Sequence, residues 1–464
     1  EGPNILVKYI LGINEVGRSD LFWLDSDICS HPNHIVYFDQ RAHIPKRKKD
    51  ISYLAQVLDS MNISYVNLFR QNLPVNDCLT IPRSWKSGPL ASRFKSLRLG
   101  ANTDSEKWLI NSLKELLIDV DYWVSVYDQL NVKIHVDISV GTSDHIAQNI
   151  ALDITNGIRI AWQRSEFLPN FGGYLGWYPC HVFLSWNARA NLPLNQNKSR
   201  VGSIIIIGIS DENLLAHRVQ LTSAWYADNH LDQFFTIALF DNMFFRDDLF
   251  SKSMIVKLYV DFLQWVIQDD QVAVVNKPKR RLILERLPEL NELMYKAEST
   301  GRWINLIEKG SNLHSIDYLP IDAGIRADIS VGIGMSSAVT ETIGYGVKGI
   351  YWDPPQLKNH PFYDWGYNQV IFTDIAVMMN ALQAYKTNSN SQPSLGSFAG
   401  HMDQIDPFHD SKQHDRVALY LRWLIDGFQD GLTRVETISK ANHNYKHIYG
   451  ADKVIDKTVL SQTD

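Results

Sequence analysis

Short apolar runs, each closed by a glycine, a proline or a polar cluster, alternate along the chain with longer stretches of helical period. The runs at 5–12 (ILVKYILG), 34–40 (HIVYFDQ), 64–69 (SYVNLF), 132–140 (VKIHVDISV), 157–163 (GIRIAWQ), 181–187 (HVFLSWN) and 202–210 (GSIIIIGIS) predict strands. Amphipathic spacing predicts helices near 48–61, 105–130 and 144–156. Over 105–130, Leu109, Ile110, Leu113, Leu116, Leu117 and Val120 share a stripe. Residues 210–233 lack strand character and are expected to carry a crossing, after which the pattern restarts. Strands are predicted at 234–242, 271–279, 303–308, 329–332, 349–353 and 370–374, with helices at 252–268 and 281–299. Such alternation predicts a mostly parallel sheet covered on both faces, here twice over. The segment 386–400 (KTNSNSQPSLGSFAG) reads as a linker, and 412–447 as a terminal helical segment with Val417, Leu421, Leu424, Ile425 and Phe428 on one stripe. The predicted organisation is α/β, with one domain over 1–225, a second over 226–400, and a helical segment over 401–464 that packs back across them.

Composition changes this picture little. At 464 residues the chain is too long for one ordinary core. A net charge of -6 leaves no basic field for a nucleic-acid partner. The basic stretch 41–50 (RAHIPKRKKD) reads as a solvated loop and helix start. The three cysteines, Cys29, Cys78 and Cys180, form no CxxC pair, which points to a reducing compartment. His31 and His34 lie near Cys29, but no second Cys/His cluster completes a metal site, so no metal is expected. The aliphatic run at 204–207 is far shorter than the roughly 20 residues of a membrane span. A soluble cytoplasmic protein is expected, with peripheral association at the inner membrane face left open. The chain starts Glu1-Gly2-Pro3 without methionine, which leaves a leader open too.

Candidate chemistry concentrates in 326–353 (RADISVGIGMSSAVTETIGYGVKGIYWD). An apolar strand, a turn opened by Gly332 and Gly334, and a helix start carrying Ser336, Ser337 and Thr340 bring free backbone N–H groups and a positive helix end to one point. Such a point attracts phosphate, and Glu341 in the first turn can accept from ribose hydroxyls. Lys277 and Lys279 in NKPKRR fall at the carboxyl end of a strand, the edge where open α/β sheets bind ligands. Asp241 ends the first strand of the second domain and is a candidate to position an acceptor, act as a base or serve as a nucleophile. In the first domain, Glu166 and His181 are candidate bases and Arg164 a candidate anion clamp. Arg18 and Asp20 stand in the loop after the first strand.

These residues together resemble a two-domain glycosyltransferase of the GT-B type, as found in bacterial capsule and lipopolysaccharide synthesis. The resemblance rests on ADISVGIGMSSAVTETIGYGVKGIYWD, on LFDNMF followed by VVNKPK, and on DPFHDSKQHDRVALYLRWLI. It covers about residues 234–447, the first 200 residues matching only in general organisation. It implies two Rossmann-like domains facing a cleft, a glycan or glycolipid acceptor on the first, a nucleotide-sugar donor on the second, and no metal or other cofactor. Carried over, Gly334, Ser336, Ser337, Thr340 and Lys277 would contact donor phosphate and Glu341 the ribose. The chain departs from the best-known pattern at Lys348, where a second glutamate is usual, so the donor stays open between nucleoside-diphosphate sugars and cytidine-monophosphate acidic sugars. Three other readings compete: a nucleotide-sugar epimerase or hydrolase on the same fold, a catalytically silent carbohydrate-binding subunit, and a dinucleotide oxidoreductase. The last rests on Gly332-x-Gly334-x-x-Ser337 followed by Asp353.

Overall fold

The structure, a computed structural model, describes residues 2–8, 22–29, 31–38, 56, 58–68, 79–81, 88–97, 99–137, 143–163, 166, 177–209, 212–244, 249–279, 281–307 and 318–457. Arg18, Asp20, Arg164 and the basic stretch 41–50 lie outside the described residues.

The first apolar runs form β1 (Asn4–Lys8), β2 (His34–Phe38), β3 (Ser64–Asn67), β4 (Leu79–Thr80), β5 (Val132–Asp137), β6 (Ile158–Trp162), β7 (Pro179–Ser185) and β8 (Arg200–Ile206). They pair in parallel in the order β4-β3-β2-β1-β5-β6-β7-β8. Every residue of β2 and β6 is buried, which is why these strands read as continuous apolar runs rather than alternating ones. Helices α1 (Pro89–Ser96), α2 (Asp104–Gln129) and α3 (Ser143–Ile154) belong to the same half. Thr103 and Glu106 form a reciprocal capping box that starts α2.

Residues expected to carry a crossing form α4 (Glu212–Asp228), along which apolar and polar residues are interspersed without a single stripe. The second sheet follows with β9 (Phe235–Phe240), β10 (Val272–Lys277), β11 (Trp303–Asn305), β12 (Ile329–Ile333), β13 (Gly349–Trp352) and β14 (Ile371–Phe372). All are parallel, ordered β11-β10-β9-β12-β13-β14. In chain order this is 3-2-1-4-5-6, the arrangement of a Rossmann sheet. Alternation along β9 divides its core between two faces. Ile237 and Leu239 pack with Phe262 and Leu263 of α5 (Lys252–Gln268), while Ala238 and Phe240 pack with Tyr226 and Val339 on the other side. Val339 belongs to α6 (Ser337–Gly344), and α7 (Ile375–Thr387) covers the Ile237 face. The stretch expected as one helix over 281–299 is interrupted at Pro288, because proline cannot continue the hydrogen-bond ladder.

Two further expectations are revised. The presumed linker 386–400 is tied down: Leu395 and Phe398 are buried, the Gly349 N–H donates to Gly396 O, and the Gly396 N–H donates to Gln369 O. The terminal segment is two helices, α8 (Gln413–Gln429) and α9 (Arg434–Tyr449), broken at Gly431, whose φ of +78° ends the first helix. The stripe Val417, Leu421, Leu424 and Ile425 joins Trp23, Ile160, Trp162 and Leu184 in the core of the first half. A final strand, β15 (Val454–Asp456), pairs antiparallel with β8 and closes that edge of the first sheet. The chain therefore leaves the second sheet and ends by completing the first.

Candidate functional site

In the second sheet β9 and β12 are neighbours, yet the chain leaves them toward opposite sides, which opens a crevice at their carboxyl ends. Gly334 makes the turn there. Its φ is +63°, and a β-carbon at this position would lie 2.3 Å from Cζ of Phe250, so both conformation and space demand glycine. Its N–H is anchored on Trp352 O at 2.6 Å. Ser336 occupies the N-cap of α6 without using its side chain as the cap, and its carbonyl accepts from Val339 and Thr340 N–H. The N–H groups of Ser337 and Ala338, at the first two helical positions, have no carbonyl of their own helix to reach. Gly332 serves packing instead: a β-carbon there would meet Val339 Cγ2 at 2.7 Å. Thr340 is fully buried, its hydroxyl 2.9 Å from the Tyr351 hydroxyl. It faces the core behind the helix and drops out of the phosphate-contacting set. Glu341 is half-buried and is the fifth residue of α6, one turn past the helix start rather than in the first turn.

Asp241 follows β9 and is buried. One carboxylate oxygen accepts the Lys279 backbone N–H at 2.6 Å and the other the Tyr259 hydroxyl at 2.7 Å. Tyr259 in turn contacts Asn276 near the end of β10. Burial pushes the Asp241 carboxyl up to about 6, against these hydrogen bonds and the charges of Lys277 and Lys279. With both oxygens engaged, Asp241 is built as an anchor for the turn after β10 rather than as a nucleophile. That turn carries Lys277, half-buried, and Lys279, exposed with its ammonium 2.7 Å from Asn242 Oδ1. Asp353 follows β13 and is also buried, one oxygen accepting the Leu357 N–H and the Tyr363 hydroxyl. A carboxylate so placed cannot meet a ribose.

The first sheet has its own reversal of strand order, between β1 and β5. Lys8 ends β1 and Asp137 ends β5, with Lys8 Nζ 4.0 Å from Asp137 Oδ2 and His145 Nε2 of α3 3.2 Å from the same oxygen. All three are buried. Burial alone would raise the Asp137 carboxyl, but Lys8, His145 and Arg159 outweigh it and hold the carboxyl well below its ordinary range. Burial holds His145 below its ordinary value, so it is neutral near pH 7. This trio escaped the sequence reading. A carboxylate closing the run VKIHVD was its available signal, whereas Lys8 sits inside an apolar run and His145 is far along the chain.

The other first-half candidates separate. Glu166 is buried and bound bidentately by Arg189, at 2.9 and 3.0 Å. Arg189 also donates to Gln404 O, and its guanidinium lies over the rings of Phe362 and Trp365. Asn187 donates to Ile405 O. Residues just after β7 thus clamp the segment that follows the second sheet. His360 stands 4.0 Å from Glu166, pushed down to about 3 by burial and by the Arg189 charge. His181 lies near the amino end of β7, accepting the Arg159 N–H and contacting Asp153, which also pairs with Arg434. Ligands of parallel sheets bind at the carboxyl end, so this position removes His181 from the candidate bases. Among the described residues, no group of three or more His, Cys, Asp or Glu could hold a metal ion.

No family model and no curated protein matches the chain. Solved structures do. A protein from Listeria monocytogenes described as a candidate UDP-N-acetylglucosamine 2-epimerase aligns over 94% of this chain and 98% of its own, with 12% identity and a TM-score of 0.51. S. aureus MnaA with UDP aligns over 91% and 97%, with 9% identity and a TM-score of 0.50. A glycosyltransferase from Rickettsia africae aligns over 96% and 98%, with 9% identity and a TM-score of 0.46. With two parallel sheets, each reversing strand order at a crevice, the chain has the GT-B type fold: two Rossmann-like domains facing a cleft.

Proposed function

We propose that this protein is a glycosyltransferase that holds a nucleotide-activated sugar at the carboxyl edge of its second sheet and passes the sugar to a glycan or glycolipid acceptor. The observation that carries this reading is the Gly334 turn and the start of α6 at a reversal of strand order, with Lys277 at the carboxyl end of β10 on the same edge of the sheet. A diphosphate laid against the helix start would accept from the Ser337 and Ala338 N–H groups and from Ser336 and Ser337 hydroxyls. Lys277, at the end of β10 on the other side of β9, offsets the charge that develops as the nucleotide leaves. Glu341 faces the ribose, so Glu341→Gln raises the donor KM; a change confined to the acceptor KM sinks that assignment. Asp241 acts through Lys279, holding the lysine-bearing turn. The charge on the leaving group is met by protein groups, so a chelator leaves turnover unchanged.

A second reading, a nucleotide-sugar epimerase, draws on the Listeria likeness and on Asp137 at the first-sheet crevice. Incubation with donor alone separates the two. A transferase leaves the sugar configuration intact until an acceptor is added, whereas an epimerase converts the donor by itself. The burial of Asp353 weighs against the dinucleotide reading.

A further inference from the structure

Arg189 of the first half reaches, through three side chains, the helix that starts the proposed phosphate site. It follows β7, and its guanidinium is pinned from two directions: both oxygens of Glu166 meet it at 2.9 and 3.0 Å, and Nε donates to Gln404 O at 2.9 Å. So fixed, it lies 5.4 Å from the ring centroid of Phe362, a buried residue at the start of the short helix Phe362–Gly366. The Phe362 ring packs on Tyr351 of β13 with centroids 5.1 Å apart. The Tyr351 hydroxyl stands 2.9 Å from the Thr340 hydroxyl, which donates to Ser336 O at 3.4 Å. Ser336 is the N-cap of α6. The line of contact thus ends on the residue that opens the helix.

Electrostatics follows the same line. Burial raises the Tyr351 hydroxyl above its ordinary range, the Thr340 hydrogen bond opposes this, and the charges of Glu166 and Arg189 both reach it, with opposite signs. The short helix is tied to the donor edge a second time, because Tyr363 donates to the Asp353 carboxylate that follows β13. Arg189 also lies 5.4 Å from the ring centroid of Trp365 in the same helix. Stability alone does not call for an ion pair here, since apolar residues of like volume often serve a buried site as well. What a bidentate pair adds is one fixed orientation.

We propose that Arg189, oriented by Glu166, is a positioning residue for the donor site and sets the start of α6 through Phe362, Tyr351 and Thr340. The inference rests on the nucleotide reading of that helix start and gives an ion pair of the first half a part in it. The test is calorimetric titration with UDP, GDP, dTDP, CDP and CMP of four full-length proteins: wild type, Arg189→Lys, Tyr351→Phe and the double variant. Arg189→Lys keeps the cation and loses the planar fork, whereas Tyr351→Phe keeps the ring and loses the hydroxyl. Each single variant, folded by circular dichroism, binds the tightest of these nucleotides about fivefold more weakly. The double variant loses no more than the weaker-binding single, because both changes break one line of contact. Loosening at two unrelated places would multiply instead, to about 25-fold. Nucleotide binding by Arg189→Lys as tight as by wild type, or losses that multiply in the double variant, overturns the proposal. Wild-type protein that binds none of the five overturns the nucleotide reading and this inference with it, so wild type alone tells the two failures apart.

Discussion

Asp241 accepts the backbone N–H of Lys279 at 2.6 Å, so the carboxylate that ends β9 fixes the turn that ends β10. The two strands lie side by side, and this bond with the Tyr259 hydroxyl holds their carboxyl ends in register. The lysines of the proposed phosphate wall therefore depend on a buried acid.

That acid makes stability depend on pH. Burial sets the Asp241 carboxyl at about 6 in the folded protein, above its unfolded value near 4. The folded state thus keeps a proton that the unfolded state has already lost, and the associated stability, present below about pH 4, is lost as pH rises through 6. Asp241→Asn removes this titration. From pH 4 to pH 7 the wild type should lose about 3 kcal/mol relative to that variant in urea unfolding. A difference that stays flat across the range contradicts the assignment.

Lys277 stands at the proposed phosphate and outside the main core. Lys277→Ala should weaken nucleotide affinity about tenfold, the usual size of a lost charge-assisted hydrogen bond, while the thermal midpoint moves little. Calorimetric titration reads the first effect and a melting curve the second. Unchanged affinity would remove Lys277 from the site.

Arg189 neutralises Glu166 bidentately and ties the region after β7 to Gln404. Arg189→Ala leaves a buried carboxylate without its cation and should cost about 3 kcal/mol of stability. Adding Glu166→Gln to that variant should recover part of the loss, because the uncompensated charge is then gone. A cost near zero for Arg189→Ala would show that the pair contributes nothing.

What could be read from the sequence follows from which forces are local. The strands of the second sheet are legible because both faces are covered, so IALF of β9 and VAVV of β10 appear as unbroken apolar runs. The Gly334 turn is legible because its φ and its contact with Phe250 leave no alternative to glycine. Thr340 and Glu341 look equivalent in the chain, yet helical rotation sends Thr340 into the core and leaves Glu341 half-buried. Glu166 and Arg189 lie 23 residues apart, and Lys8 and Asp137 much farther, so no spacing rule joins either pair. β15 is three residues long and gains its identity from pairing with β8.

The central claim, a nucleotide-activated sugar held by the Gly334 turn and the start of α6, is tested most directly by calorimetric titration of the full chain with UDP, GDP, dTDP, CDP and CMP. The account predicts saturable one-to-one binding of at least one of these nucleotides, weakened by Lys277→Ala and accompanied by a higher thermal midpoint. The absence of heat and of stabilisation with all five at millimolar concentration would contradict it.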